Sequence, residues 1–196
     1  MTVLRLFTQP EQGWSDLAKS EGSWAGTLLL LLVLAALPAV AWYYGVTEIG
    51  WSLGRGAPLR VTPESASVII GLFYLAMVGG ILAIAAAVQW MSVTYGAHPK
   101  PLDAVRLATY TGLPLFIAGL TGFIPILWLN LVIGVLAAGH ALTLLYTGIP
   151  VLMQIPKERG YLFSSAIVAV CLVLLIALMG VTVTLWEWGA MPVFTD

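Results

Sequence analysis

A histidine near the middle of a long apolar stretch is the residue in this sequence best placed to do chemistry. His140 follows Asn130 by ten residues, or about 15 Å along an α-helix, so it lies near the centre of a segment long enough to cross a bilayer. An ionisable group at that depth is a functional candidate because hydrocarbon disfavours it. His140 could bind a ligand, carry a proton or ion, or simply hydrogen-bond a neighbouring helix.

Four hydroxyl side chains can meet this imidazole if their helices converge. Thr143 follows it on the same helix face, Tyr74 lies near the middle of the second apolar segment, and Tyr110 and Thr111 lie in the third. We expect these residues to form a mid-membrane polar cluster in which His140 hydrogen-bonds one hydroxyl. No histidine or carboxylate lies three or four residues from His140, so this helix alone does not predict a metal site.

A helix-breaking motif follows the histidine in the run Tyr146-Thr147-Gly148-Ile149-Pro150. Pro150 cannot donate to the carbonyl of Tyr146, and Gly148 permits unusual backbone angles. Two interpretations stay open: a kinked or unwound segment with freed carbonyls, or an ordinary helix end.

No arrangement typical of catalysis accompanies these residues. The sequence has no GxSxG, P-loop, HExxH or dinucleotide fingerprint, and Glu64, Asp103 and Glu187 lie near the ends of apolar segments. The single cysteine, Cys171, cannot form an intrachain disulfide or a cysteine-based metal site. We therefore predict that the protein is not an enzyme and uses no cofactor or metal.

Composition places these residues in a membrane. Hydrophobic residues make up 60% of the chain and charged residues 9%, whereas soluble domains have about 45–50% and about 25%. The net charge of −1 gives no basic excess, so we expect membrane lipids rather than nucleic acid as partners.

The pattern of apolar segments predicts an all-α, polytopic membrane protein with a five-helix transmembrane bundle. A cytoplasmic amphipathic segment over 1–23 precedes the transmembrane domain over 24–190, and a short non-cytoplasmic tail covers 191–196. The five spans are expected at about 24–44, 63–91, 102–123, 125–153 and 161–188. Proline bends the first span and interrupts the third.

Two local patterns predict contacts. The second span places small residues three or four positions apart, which lets another helix approach closely; they are Gly71, Ala76, Gly79, Gly80, Ala83 and Ala87. In the third span, Asp103 and Arg106 are spaced to form an ion pair.

The N-terminal segment predicts a short amphipathic helix. Thr8 and Glu11 have the spacing of a capping box, with Thr8 as N-cap. Trp14, Leu17 and Ala18 share one face, so we expect an interfacial helix lying on the membrane surface. A solvated tail is the alternative.

Lysine and arginine predict the orientation. With the N-terminus in the cytoplasm, six basic residues lie on that side, against Arg55 and Arg60 on the other. The six are Arg5, Lys19, Lys100, Arg106, Lys157 and Arg159. We therefore expect a cytoplasmic N-terminus and a periplasmic or extracellular C-terminus.

Several short motifs resemble the bacterial branch of the Yip-domain family. They are Leu6-Phe7-Thr8-x-Pro10 with Trp14, Tyr95-Gly96-Ala97, Leu145-Tyr146-Thr147-Gly148-Ile149-Pro150 and Ile155-Pro156-Lys157-Glu158-x-Gly160-Tyr161-Leu162-Phe163-Ser164-Ser165. The resemblance covers nearly the whole chain and implies a five-span protein of the bacterial inner membrane.

The eukaryotic members of that family act in vesicle traffic through Rab-type GTPases and through one another. This chain has only about 24 residues before its first span, so the resemblance does not predict a Rab-type GTPase partner. Other membrane proteins or a second copy of the chain are the expected partners.

Two functions are consistent with these features. The first is a non-enzymatic scaffold or membrane-organising, trafficking-like factor that acts through helix–helix contacts. The alternative is a small transporter, channel or lipid-moving protein that uses the polar cluster around His140, since broken helices are frequent in transporters.

Overall fold

Eight α-helices form most of the structure, a computed structural model that describes residues 2–51 and 58–195, with side chains from residue 5 onward. In chain order they are α1 (Thr2–Thr8), α2 (Pro10–Lys19), α3 (Trp24–Tyr44), α4 (Pro63–Ser92), α5 (Pro101–Thr111), α6 (Leu113–Ala118), α7 (Leu127–Leu152) and α8 (Lys157–Leu185). Arg55, which was used to predict the orientation, lies outside the described residues.

The predicted five-span, all-α architecture is confirmed. In the described ranges, five helical segments are long and apolar enough to cross a membrane: Trp24–Ile49, Pro63–Tyr95, Pro101–Phe123, Leu127–Leu152 and Lys157–Ala190. The fifth begins four residues before the predicted start, because the polar first turn of α8 continues directly into its apolar part.

The third span lies at the centre of the bundle and is interrupted as predicted. It consists of α5 and α6, which meet at Gly112, with Pro114 in the first turn of α6. More than half of its most apolar window is buried (56%), against 6% for the second and fifth spans. The helices around it are α3, α4 and α7.

The N-terminal residues form a helical hairpin, α1–α2, that packs on α7. An ion pair of 2.7 Å between Arg5 and Asp16 joins its two helices. Trp14 and Leu17 are buried in the protein core, so the apolar face of α2 contacts the bundle rather than lying free on the membrane surface. The N-cap of α2 is Gln9, one residue after the predicted Thr8.

The buried core lies toward one end of the bundle, the end at which α2 and α5 meet the join between α7 and α8. We call it the basic end, because Lys19, Lys100, Arg106, Lys157 and Arg159 lie there. Toward the other end the spans are less covered. From residue 171 onward no described residue of α8 is buried.

The predicted helix contact of the second span is made only in part among the described residues: Ala87 packs against the core, but three glycines of the row do not. A Cβ added at Gly71, Gly79 or Gly80 would meet nothing within 4 Å. The physical reason is that α4 packs on α3, α5 and α8 through other residues, among them the buried Ala85 and Val88.

The end of the bundle opposite the basic end is covered by the segment after α8. The backbone nitrogen of Thr62 donates to Val193 (2.8 Å) and that of Thr195 to Arg60 (2.9 Å). Beneath these bonds lies a cavity of about 690 Å³. Its lining includes Trp42, Ile70, Phe73 and other apolar residues of α3 and α4.

Candidate functional site at the basic end

The contact between Trp14 and Gly148 joins the hairpin to the fourth span. Trp14 is completely buried, and a Cβ added at Gly148 would lie 2.6 Å from its Cε2 atom. Only a residue without a side chain lets the indole approach this closely. Gly148 is therefore required by space rather than by an unusual backbone angle.

The predicted unwinding of the helix-breaking motif is wrong. The helix α7 continues through Gly148 and Pro150 to Leu152, and Met153 is its C-cap. The backbone becomes irregular only at Gln154, where φ is 54°. Packing from both sides holds the motif helical, since Trp14 contacts one side and α8 the other.

Pro150 packs against the first turns of α8. A Cβ added at Gly160 would lie 2.6 Å from Cγ of Pro150. The close approach of α7 and α8 is reinforced by the hydroxyls of Tyr146 and Ser165, which share a hydrogen bond of 2.9 Å. Thus Gly148 of α7 makes room for Trp14, and Gly160 of α8 makes room for Pro150.

A buried arginine binds the C-terminal end of α2. Arg106 is 5% exposed and donates to the carbonyl of Leu17 (2.7 Å) and to Oγ of Ser20 (2.6 Å). The predicted pair with Asp103 is also present at 3.6 Å. Because the last carbonyls of a helix lack intrahelical partners, a cation placed there stabilises the helix end.

A polar cleft of about 410 Å³ opens where α2, α7 and α8 meet. It is lined by the predicted motif residues Tyr146, Thr147 and Pro150 together with Val151, Glu11, Lys157 and Tyr161. An ion pair of 3.1 Å links Nζ of Lys157 to Oε1 of Glu11. Three of the five motif residues therefore line one cleft, Gly148 receives Trp14, and Ile149 is buried in the core.

His140 lies at the middle of α7, as predicted, but its environment differs from the prediction. Its ring stacks on Phe7 of α1, with ring centroids 5.1 Å apart and planes 12° apart. Its Nε2 is buried and has no hydrogen-bond partner among the residues that the structure describes. Phe7 of the hairpin thus contacts the histidine at the middle of α7.

The predicted hydrogen bond from His140 to a hydroxyl is not formed. Tyr74 donates instead to the carbonyl of Leu32 (3.4 Å), and Thr143 donates to that of Gly139 (3.1 Å). Oγ1 of Thr111 is buried without a partner. The hydroxyl of Thr143 turns to its own helix because the carbonyl four residues earlier is always within reach.

Tyr110 takes part in the hairpin contact rather than in a histidine cluster. Its ring meets that of Trp14 edge to face, with centroids 6.5 Å apart. The contacts of Phe7, Glu11 and Gly160 were not predictable from the sequence. For Gly160, the position of a glycine in the first turn of a helix was a sign of a close contact. The sequence did not indicate that Pro150 is the residue in contact.

Together these features define an integral membrane protein of five spans whose N-terminal hairpin is built into the bundle. The chain matches the model of the Yip1 domain over residues 4–178. It belongs to the Yip1-domain family, as the sequence motifs indicated.

Curated relatives of the chain are inner membrane proteins. The protein named "Inner membrane protein YohC" from Escherichia coli strain K12 is 34% identical over 159 residues, which cover 81% of this chain and 82% of the relative. The protein of the same name from Escherichia coli O6:H1 matches with the same values. No solved structure gives a significant match.

Proposed function

We propose that the protein is a non-enzymatic membrane scaffold that binds another membrane protein or a second copy of itself through α4. The observation that carries the proposal is the uncovered row Gly71, Leu75 and Gly79. These residues are spaced four apart and therefore share one helix face. Leu75 is 64% exposed, and the two glycines have open space above them.

The two glycines lie eight residues apart with Leu75 between them, so a second helix can pack its side chains into the gaps on either side of the leucine. Packing at small residues is one source of helix association in lipid. Within the described part of the chain no helix uses this face. A scaffold needs a surface on which another helix can pack. A helix face that contacts only lipid does not need small residues and could equally well carry bulky ones.

A photo-crosslinking amino acid at position 75 tests the proposal in native membranes. We expect a discrete protein adduct that is lost when Gly79→Leu fills the face. A probe at Val135, also 64% exposed but on α7, is the control and should not respond to Gly79→Leu. Adducts to lipid alone at position 75 would contradict the scaffold function.

The second candidate is a transporter, channel or lipid-moving protein. It is favoured by His140, an ionisable residue in the fourth span whose buried Nε2 lacks a hydrogen-bond partner among the described residues. Flux of ions, lipids and small solutes in liposomes, with His140→Ala as the variant, distinguishes the two functions. A pH-dependent flux that the variant loses would support transport; no flux would support the scaffold.

We also propose that the basic end faces the cytoplasm. The support is the excess of lysine and arginine there, which orients membrane proteins. A membrane-impermeant thiol reagent applied to intact cells should label a cysteine at Trp188, which is 80% exposed, and should spare one at Lys19. The reverse pattern would invert the orientation.

A further inference from the structure

The polar cleft at the basic end has the lining of a site for an amphipathic ligand. Lys157 is the first residue of α8 and Tyr161 lies one turn further, while Tyr146 lies six residues before the end of α7, or about 9 Å along the helix. The cleft therefore extends from the charged ends of two spans toward their apolar parts.

The two charges of the cleft are solvent-exposed and opposite. The side chains of Lys157 and Glu11 are 81% and 70% exposed, so little of their hydration is lost in forming the pair. Exposed pairs of this kind exchange partners readily because their mutual attraction is weak in a medium of high dielectric constant. Each charge can therefore bind a ligand group of the opposite sign.

The rest of the lining suits the portion of a lipid next to its charged group. The rings of Tyr146 and Tyr161 pack together with centroids 5.1 Å apart, and Pro150 and Val151 add apolar surface. Tyrosine rings are typical of the headgroup level of a membrane, where an apolar body and a polar tip are both satisfied.

We propose that this cleft binds the headgroup of a phospholipid that carries a phosphate and a primary ammonium, that is, a phosphoethanolamine headgroup. Lys157 donates to the phosphate, and Glu11 accepts from the ammonium. The lipid inserts between the two members of the ion pair, so that four charges are compensated by charge-assisted hydrogen bonds. This inference does not depend on the scaffold function.

Charge complementarity selects this headgroup over others. Glu11 repels a headgroup that is only anionic, such as phosphoglycerol. A choline headgroup has the same net charge as ethanolamine, but its quaternary nitrogen has no N–H to donate to the carboxylate. Only the primary ammonium satisfies both side chains.

Native mass spectrometry of the purified full chain tests the assignment. The protein is incubated with an equimolar mixture of phosphatidylethanolamine, phosphatidylcholine and phosphatidylglycerol that have identical acyl chains. We expect the wild type to retain phosphatidylethanolamine preferentially. Lys157→Gln and Glu11→Gln should each lower that retention roughly twofold to fivefold, as expected for the loss of one solvent-exposed charge pair. Lys157→Arg should preserve it.

Arg5→Gln is the matched control, because it breaks another exposed ion pair of the same hairpin, with Asp16, outside the cleft lining. It should leave lipid retention unchanged. An equal loss in Arg5→Gln would show that hairpin docking, not the cleft, controls binding, and would overturn the proposal. Equal retention of the three lipids by the wild type would overturn it as well.

A soluble competitor identifies the source of the headgroup. Free phosphoethanolamine should displace the lipid only at concentrations far above those of the lipid, because it lacks the acyl chains. Displacement by inorganic phosphate at the same concentration as phosphoethanolamine would assign the cleft to a free anion and overturn the lipid assignment.

Discussion

Replacing Trp14 and Gly148 together tests whether the packing of the indole against the glycine of α7 holds the hairpin on the bundle. Burial of Trp14 is complete, and truncation of a buried aromatic residue to alanine costs about 3–5 kcal/mol. Within the described part of the chain its Nε1 has no hydrogen-bond partner, so removal also relieves roughly 1–3 kcal/mol of lost hydration. Trp14→Ala should therefore weaken docking of α1–α2 by about 2 kcal/mol, a roughly thirtyfold rise in the undocked population.

Gly148→Ala perturbs the same contact from the other side. Its methyl group would stand 2.6 Å from the indole, and overpacking of this kind costs about 1–3 kcal/mol. In the Trp14→Ala background the methyl enters space that the indole has left. We expect a coupling energy of about 1–2 kcal/mol between the two substitutions.

Thiol labelling at Leu17 measures docking, because this position is 4% exposed and reacts only when the hairpin opens. The cysteine is introduced as Leu17→Cys in a chain in which Cys171 is replaced by alanine. Trp24→Ala, at a tryptophan that is 50% exposed, serves as the control and should not change the labelling rate. Additive effects of Trp14→Ala and Gly148→Ala would refute the proposed contact.

Three further variants probe the remaining contacts. Arg106→Met should increase labelling at the same cysteine by roughly tenfold or more, because hydrogen bonds from a charged donor contribute about 1.5–3 kcal/mol; unchanged labelling would contradict its role at the end of α2. Gly160→Val should lower the midpoint of thermal unfolding, at a cost of about 1–3 kcal/mol, whereas Gly180→Val, with nothing within 4 Å of its added Cβ, should not. His140→Phe retains the stacked ring and removes the unpartnered Nε2, so the midpoint should rise by the equivalent of roughly 1 kcal/mol; a fall would indicate that the nitrogen has a bound partner.

The number and placement of the spans could be predicted from the sequence because hydrocarbon imposes a minimum apolar length on each span. The interruption of the third span at Gly112 and Pro114 was predictable for a similar reason, since proline acts on its own helix. The pair Asp103–Arg106 was predictable because both residues lie on one helix. Each of these features is decided by neighbours in sequence.

The site depends on contacts between distant parts of the chain, and it was predicted only in part. The motif around Gly148 was recognised, but a kinked or unwound backbone and an ordinary helix end both stayed open, because the sequence does not show that Trp14 packs there. Similarly, the hydroxyl partners of His140 on other helices were chosen by depth alone. Depth does not determine which side of a helix faces its neighbour, and Phe7 from a segment outside the five spans lies on the histidine instead.

The order in which this chain is made has a consequence for its assembly. Glu11 precedes its partner Lys157 by 146 positions, so the α1–α2 hairpin leaves the ribosome long before the surface that receives it exists. During insertion of the first three spans the indole of Trp14 lacks the surface at Gly148 on which it packs. Docking of the hairpin therefore has to follow synthesis of the fourth span.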